Sequence, residues 1–317
     1  MHTRLYLTFI LLSITSLSLL AQADFHHAAT IPLQTVWKKG ETYTYELEKG
    51  AIQYWDNQEM NHAQARQNVS LTVLDVHEKG FVMLATYNSA AYFIPDNLKA
   101  IKGFSELIEK YKDIKVQYAI APTGPFLGIL NGRDVQQILV DIIDAAECAY
   151  EKNDMALTVL SNMRCQMTTE AYITENYCQE LRLLHQFYGK EYKANNYQEY
   201  DTELANLLEP NGKPIPAKAS FKADWFEDKY CAIEHTLLPD EPTMKKLTFD
   251  YFKKMSGGAM QVENTEGVAL KVNDEGKYLY HQRSGWLIEL YKKRTIELES
   301  EKKVEYIRMY MVEKGTF

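Results

Sequence analysis

The sequence predicts an α+β protein in which curved antiparallel sheets, arranged as a half-barrel or a sandwich, surround a central helical block. In the first and last thirds of the chain, short segments alternate apolar with polar residues and are separated by turn residues. Between them, from Asp134 to Tyr188, apolar residues recur at helical spacings of three and four. Neither glycine nor proline occurs between Arg133 and Gly189, which favours uninterrupted helices.

The chain begins with a stretch typical of a secretory signal. Arg4 gives a positive start, an apolar and hydroxyl-rich run follows, and Ala21-Gln22-Ala23 fits the small-x-small cleavage pattern. The run is short for a permanent membrane span, and polar residues follow it closely. We therefore expect removal of residues 1–23 on export, leaving a periplasmic or extracellular protein with no transmembrane span.

Three segments are predicted after the signal: an N-terminal β-rich half over 24–132, a helical middle over 133–209 and a C-terminal β-rich half over 210–317. Pro210-Asn211-Gly212-Lys213-Pro214 is the clearest loop and marks the second boundary.

The N-terminal half is predicted as a meander of hairpins behind an irregular lead at 24–36. In its first strand, Tyr43, Tyr45 and Leu47 alternate with polar residues, and Lys49-Gly50 is expected to turn the chain. The predicted strands are 37–48, 52–55, 68–76, 81–93, 115–121 and 126–130, with a helix near 105–111.

The middle is predicted to hold three helices, over 134–149, 155–164 and 169–188. Asp134 is expected to cap the first helix, and Gly189 to end the third in the left-handed conformation. The simplest interpretation is a scaffold of packed helices; the alternative is a lid or a partner surface on a β-rich body.

The C-terminal half is predicted to return to strands, with Asn273-Asp274-Glu275-Gly276 as one of its turns. A short helix is expected at 199–208 and a longer one at 240–252, ended by Gly257-Gly258. The predicted strands are 217–226, 229–238, 262–272, 277–282, 285–298 and 302–313.

Composition and motifs exclude several functions. With 43 acidic against 35 basic residues and a net charge of −8, the chain is a poor candidate for nucleic-acid binding, which needs clustered positive charge. The sequence contains no G-x-S-x-G elbow, H-E-x-x-H helix, P-loop or G-x-G-x-x-G motif. We therefore expect a non-enzymatic protein without a metal or another cofactor; a hydrolase-like enzyme remains a second alternative.

Four cysteines occur, at 148, 165, 178 and 231, and export makes a disulfide possible. The short segment between Cys165 and Cys178 makes that pair the favoured bridge, although sequence does not separate the possible connectivities. Buried free thiols are the alternative. The cysteine spacings lack the close pairs of a zinc site.

Aromatic residues are abundant, with 22 Tyr, 12 Phe and 4 Trp. On a sheet they can pack as a core or line an apolar pocket. Alternation places six residues on inner faces, and these are the predicted ligand-binding positions: Tyr43, Tyr45, Leu71, Val73, Trp286 and Ile288.

Two stretches carry a family resemblance. The segment from Trp37 to Tyr45, WKKGETYTY, resembles the start of several uncharacterised exported bacterial families of unknown function. The segment from Tyr278 to Ile288, YLYHQRSGWLI, resembles their closing hairpin, in which a Gly-Trp turn joins two long strands. More distantly, the order of strands and helices is similar to that of periplasmic lipoprotein-carrier half-barrels, which bind acyl chains in an apolar concavity plugged by helices.

The predicted function is therefore binding of an apolar or lipid-like ligand in the periplasm or cell envelope. The main alternative is an interaction or structural module without a pocket, bound to an envelope protein partner. An apolar cavity would favour the first, and a dry core with a flat apolar patch the second.

Overall fold

Strands make up most of the chain that the computed structural model describes, which comprises residues 30–88, 106, 109–111, 113–169, 172–174, 178–204, 206, 212–227, 229–255 and 270–314. The strands are β1 Thr30–Pro32, β2 Thr42–Trp55, β3 Gln58–His77, β4 Gly80–Asn88, β5 Asp113–Ile120, β6 Phe126–Ile129, β7 Glu191–Lys193, β8 Asn196–Leu204, β9 Ile215–Phe226, β10 Tyr230–Pro239, β11 Leu270–His281, β12 Leu287–Leu298 and β13 Glu301–Lys314. The helices are α1 Gly132–Ala149, α2 Asp154–Met167, α3 Gln179–Leu184 and α4 Glu241–Met255.

Eleven strands form one antiparallel sheet in the order β6-β5-β4-β3-β2-β13-β12-β11-β10-β9-β8, and β1 pairs with β7 in a separate two-stranded sheet. The large sheet is open, because its edge strands β6 and β8 do not pair with each other. The prediction of antiparallel sheets is confirmed, and they are one large sheet and one small sheet. Since β2 pairs with β13, strands from both predicted β-rich halves belong to this sheet, and β8 from the predicted middle extends it.

The predicted central helical block is not supported; the sheet organises the fold. α1 and α2 confirm two predicted helices; they lie against each other, and α1 also lies near β5. Of the predicted helix 169–188, the described residues 172–174 are helical and α3 covers Gln179–Leu184; turns follow α3. The predicted helix at 199–208 is wrong, because β8 pairs with β9 there and sheet hydrogen bonding outweighs local helix propensity.

Two predicted turns lie inside strands. Lys49-Gly50 belongs to β2, and the hairpin to β3 turns instead at Asp56 and Asn57, whose φ angles of 46° and 63° are those of a tight two-residue turn. Asn273-Asp274-Glu275-Gly276 belongs to β11, so the strands predicted to flank it form one strand. Ion pairs to β12 neutralise the carboxylates of this acidic tetrapeptide within the sheet.

Several other elements agree with the sequence. The β3–β4 turn, the β5–β6 hairpin, the β9–β10 hairpin and α4 lie where they were predicted. The carboxylate of Asp240 accepts a hydrogen bond from the Thr243 backbone N–H at 3.0 Å and so caps α4. At α1 the cap prediction is wrong: Asp134 lies in the first turn, and Asn131 precedes the helix. The predicted signal over 1–23, Gly257-Gly258, the segment 262–269 and residues 105, 107 and 108 of the helix near 105–111 lie outside the described residues. Residues 106, 109 and 110 of that helix are helical.

One face of the sheet packs around an internal segment, residues 178–193, which we call the plug. The plug contains α3, several turns and β7. Its buried side chains join inward residues of β2–β5 and β10–β13 in one core cluster. The lead that was predicted to be irregular over 24–36 contains β1 and contributes Ile31 and Leu33 to that cluster, and Trp37 follows it there. The sheet therefore has an inner face, which is covered by the plug over part of its area.

Two buried tyrosines satisfy backbone carbonyls of this plug. A segment with little regular structure has carbonyl groups that need hydrogen-bond donors when they are buried. The hydroxyls of Tyr280 and Tyr192 donate to the Leu184 and Phe187 carbonyls at 3.1 and 2.7 Å. The ring of each tyrosine adds apolar area to the core, and its hydroxyl satisfies backbone that leucine would leave unpaired.

A buried carboxylate fixes the start of α3. Glu180 is fully buried; it accepts a hydrogen bond from the Tyr87 hydroxyl at 2.6 Å and pairs with Lys49 Nζ at 2.6 Å. Burial, followed by the charge of Glu180, raises the pKa of Tyr87. This triad joins the plug to β4 and β2.

Candidate ligand-binding cleft

A cleft of about 1210 Å³ lies on the part of the inner face that the plug leaves uncovered. Its lining comes from β8–β13, from the β2–β3 hairpin, from Pro125 and Phe126, and from α4 at Met244 and Thr248. The plug contributes Gln179, Arg182, Leu183, His185 and Gln186. Pockets for drug-sized molecules are typically about 300–1,000 Å³. The cleft is thus large enough for a lipid-sized ligand.

An apolar stripe forms one end of the cleft. Strand pairing places Leu270 opposite Leu298, Val272 opposite Ile296, and Leu204 opposite Ile215. Directly opposed residues on neighbouring strands bring their side chains together on one face. The apolar stripe comprises Leu204, Ile215, Leu237, Leu270, Val272, Ile296 and Leu298.

Beside the apolar stripe lies a group of charges, the buried Asp274 and the half-buried Lys292 and Arg294, which we call the charged belt. Arg294 Nε and Nη2 donate to the two carboxylate oxygens of Asp274, each at 2.7 Å, and Lys292 Nζ lies 3.4 Å from Asp274 Oδ2. The Asp274 side chain is 2% exposed, against 18% for Lys292 and 28% for Arg294. Two cations therefore share one carboxylate at the cleft wall.

The pKa values of the charged belt reflect this environment. Burial alone would raise the pKa of Asp274, but hydrogen bonds from Arg294 and the charges of Arg294 and Lys292 hold it below its usual value. Burial lowers the pKa of Lys292, and the attraction of Asp274 opposes that effect. Lys292 is the member whose charge is least well compensated.

His235, on β10, lies next to the charged belt. Its ring packs edge-on against Phe187 with centroids 5.6 Å apart, and within the described part of the chain its buried Nε2 has no hydrogen-bond partner. Burial, followed by the charge of Lys292, lowers its pKa to about 4. The imidazole is therefore neutral at pH 7 and offers an unsatisfied polar atom at the cleft wall.

The cleft has a local charge opposite to that of the whole protein. Its lining contains five basic residues, Arg182, Lys292, Arg294, Lys302 and Lys303, against three acidic residues, Asp274, Glu301 and Glu305. The full chain carries a net charge of −8. Part of the basic excess is buried, where charges act more strongly than on the surface.

The β2–β3 hairpin forms a partly exposed rim. Trp55 and Met60 line the cleft and are 49% and 67% exposed. Tyr306 lies over Gly50, where a Cβ atom would meet the tyrosine ring at 2.4 Å. Gly50 is therefore needed for this close approach of a ring to the strand backbone.

Five of the six predicted ligand-binding residues are buried in the packed core, and none of the six lines the cleft. Tyr43 and Trp286 rings lie 4.3 Å apart, and the Tyr45 hydroxyl donates to the Leu287 carbonyl at 2.9 Å. Leu71 and Val73 are fully buried in the same cluster, whereas Ile288 is half-buried. The five buried positions belong to the same core cluster as the buried residues of the plug, because the plug fills the concavity at their end of the sheet.

The residues that line the cleft were missed for identifiable reasons. The tetrapeptide containing Asp274 has the composition of a turn, so its place in a strand was not expected. Lys292, Arg294, Ile296 and Leu298 share one face of β12 by alternation. The sequence signal that could have located the cleft is the presence of charged and aliphatic residues on the same face of one strand.

All four cysteines are free in the structure. Cys165 is exposed on α2, whereas Cys178 is buried beside α3, so the predicted Cys165–Cys178 bridge does not appear. The described residues include no group of three or more His, Cys, Asp or Glu residues placed to hold a metal ion. Among the helices described here, none combines the length and apolar character needed to cross a membrane.

Comparisons with known proteins leave the family open. No family model and no curated protein matches the chain. Five chains of solved structures match, and one of them comes from a structure described as "Lipid-protein interactions in lipovitellin". The lipovitellin chain is 8% identical in sequence to the present protein, with a TM-score of 0.42. The match covers 87% of the present protein and 25% of the lipovitellin chain. This chain thus spans about a quarter of that protein's chain, and no conclusion on function is taken from so distant a likeness.

Proposed function

We propose that this protein is a non-enzymatic binding protein for an apolar or lipid-like ligand, which it holds in the cleft. The observation that carries the proposal is the apolar stripe on the wall of a cleft of about 1210 Å³. Apolar surface in contact with water costs about 25 cal/mol per Å². A ligand that covers the stripe removes this cost, and the partly exposed Trp55 and Met60 at the rim offer further apolar contact.

Export is part of the proposal. The small-x-small pattern at Ala21-Gln22-Ala23 supports cleavage after residue 23. The mass of the protein recovered from its own host measures this directly. An intact Met1 on protein from the cytoplasmic fraction would refute the assignment to the periplasm or cell exterior.

Uptake of an apolar fluorescent probe tests the binding function. The purified chain, after extraction of any bound lipid, should bind the probe saturably. Ile296→Trp places an indole in the apolar stripe and should weaken binding about tenfold or more. Thr295→Trp is the matched control, because residue 295 is adjacent on β12 and points to the opposite face by alternation.

Two results of these measurements would contradict the proposal. No saturable uptake, together with native mass spectrometry that finds only the bare chain, would refute ligand binding and favour an interaction module. Equal loss of binding in the Ile296→Trp and Thr295→Trp proteins would show that the probe binds outside the cleft.

A further inference from the structure

We infer that the ligand of this cleft is an anionic amphiphile, whose carboxylate or phosphate head group is held by Lys292 and Arg294 while its chain lies along the apolar stripe. This inference rests on the proposed binding function and adds the chemical class of the ligand. It follows from three observations, namely an incomplete ion cluster, the sign of the charge around it and its position relative to the stripe.

The ion cluster is incomplete because it contains one carboxylate and two cations. Asp274 uses both oxygens for Arg294, and its contact with Lys292 Nζ is longer, at 3.4 Å. Within the described part of the chain, Asp274 is the partner found for Lys292. A buried cation without full compensation is costly. A second anion beside Lys292 would complete the cluster.

Arg294 can serve two anions at once. A guanidinium carries five N–H donors, and the bidentate contact to Asp274 uses Nε and one donor of Nη2. The same contact fixes the plane of the group, so its remaining donors are preorganised. Planar donors of this kind suit the paired oxygens of a carboxylate or phosphate.

The surroundings favour an anion as well. Arg182 of the plug is close enough to contribute electrostatically to Lys292, and the neutral imidazole of His235 adds a polar group. Glu305, the other carboxylate near Arg294, pairs with Lys303 at 2.7 Å. Positive potential therefore remains at the charged belt despite the acidic net charge of the chain.

Position along the strands then defines an amphiphile. On β12, Lys292 and Arg294 are followed on the same face by Ile296 and Leu298, and on β11 Asp274 follows Leu270 and Val272. Residues two apart on a strand are separated by about 7 Å. A head group at the belt thus places the first carbons of its chain against the stripe without a gap.

The test compares a fluorescent long-chain fatty acid with its methyl ester, which differ in charge and little in size. The wild-type chain should bind the acid at least about tenfold more tightly than the ester. Lys292→Met should raise the Kd for the acid about 10- to 100-fold and leave that for the ester within about twofold. We expect this variant to fold, because Asp274 keeps both hydrogen bonds from Arg294.

Lys293→Met is the matched control. Lys293 is adjacent on β12 and pairs with Glu275 at 2.7 Å on the opposite face, so the substitution removes the same charge beside the cleft without altering its lining. Its affinity for the acid should equal that of wild type. An equal loss in both variants would overturn the inference, since it would reflect net charge alone.

Two further ligands identify the source of the anion and separate the two proposals. A single-chain phosphate lipid that competes with the fluorescent acid supports a lipid head group, whereas inorganic phosphate competing equally well would overturn the role of the chain. Binding of acid and ester with equal affinity in wild type would overturn this inference and leave the proposed function standing. Binding of neither would refute both.

Discussion

Removal of the Arg294 guanidinium should expose the energetic role of the charged belt. In Arg294→Met the buried Asp274 loses two hydrogen bonds of 2.7 Å and keeps one cation at 3.4 Å. Breaking one side of a buried ion pair typically costs about 3–5 kcal/mol. Because Lys292 remains, we expect a loss at the low end, about 3 kcal/mol in the free energy of unfolding.

Urea unfolding followed by tryptophan fluorescence measures this loss. The double variant Asp274→Asn with Arg294→Met removes the unpaired carboxylate and should regain at least half of the lost stability. Lys293→Met is the control at a more exposed ion pair: the carboxylate of its partner Glu275 belongs to a side chain that is 44% exposed, against 2% for Asp274, and Lys293 itself is 29% exposed, so the loss should stay below about 1 kcal/mol. All proteins must be stripped of bound ligand, which would add stability by mass action.

Two results would refute this account of the belt. One is an Arg294→Met protein as stable as the Lys293→Met control, which would mean that water reaches Asp274 and replaces the guanidinium. The other is a double variant no more stable than Arg294→Met, which would place the cost in lost packing of the arginine side chain and not in the unpaired charge.

Three further predictions concern the rest of the fold. Burial lowers the pKa of His185 to about 3 and that of His235 to about 4, so at both sites the unfolded chain binds more protons below about pH 6.5. Each histidine should reduce the stability by about 2 kcal/mol between pH 7 and pH 5. His185→Gln should remove the share of His185 from this fall, measured by urea unfolding at each pH. Native protein should react with a thiol reagent at Cys148 and Cys165 only, because burial raises the pKa of Cys178 and Cys231 to about 12. Unfolding without reductant should make four thiols reactive. A count of two reactive thiols in the unfolded protein would support the predicted Cys165–Cys178 bridge. Gly50→Val should destabilise by about 1–3 kcal/mol through its clash with Tyr306, and Tyr306→Ala in the same chain should recover part of the loss in thermal unfolding.

Alternation predicted strands well where one face is apolar. The inward residues Tyr43, Tyr45 and Leu47 identify β2, and the same pattern locates β4, β9 and β10. The pattern identified the inner face but not what covers it. Whether an inward tyrosine contacts a ligand or another part of the chain depends on the plug, which is distant in sequence from β2 and β13.

Turn composition misled the prediction at two sites that matter for function or packing. Gly50 continues β2 because Tyr306, from the far end of the chain, packs on it. Asp274 and its neighbours continue β11 because Arg294 and Lys293 neutralise their charges across the strand pair. In both cases a long-range contact outweighs local preference, and a single sequence does not reveal the partner.

The helical middle was overestimated for a related reason. Absence of glycine and proline permits a helix, but a helix in water needs a packed apolar face for most of its stability. The plug instead forms α3 over six residues and several turns, and the hydroxyls of Tyr280 from the sheet and Tyr192 within the plug each satisfy one of its carbonyls. Tertiary hydrogen bonds therefore replace the helical ones that the sequence pattern indicated.

The charged belt separates two apolar regions of one inner face, the core around the plug and the stripe in the cleft. Replacing a buried ion pair with apolar residues of similar volume is often neutral or stabilising. Aliphatic residues at 274, 292 and 294 would join the two regions into one continuous core, so the stability of the sheet gives no reason for charges there. Binding of an anionic head group beside Lys292, with its chain along the stripe, would account for a surplus cation at the end of an apolar stripe. A ligand-binding site should therefore prefer the fatty acid to its methyl ester, whereas a purely structural ion pair should not.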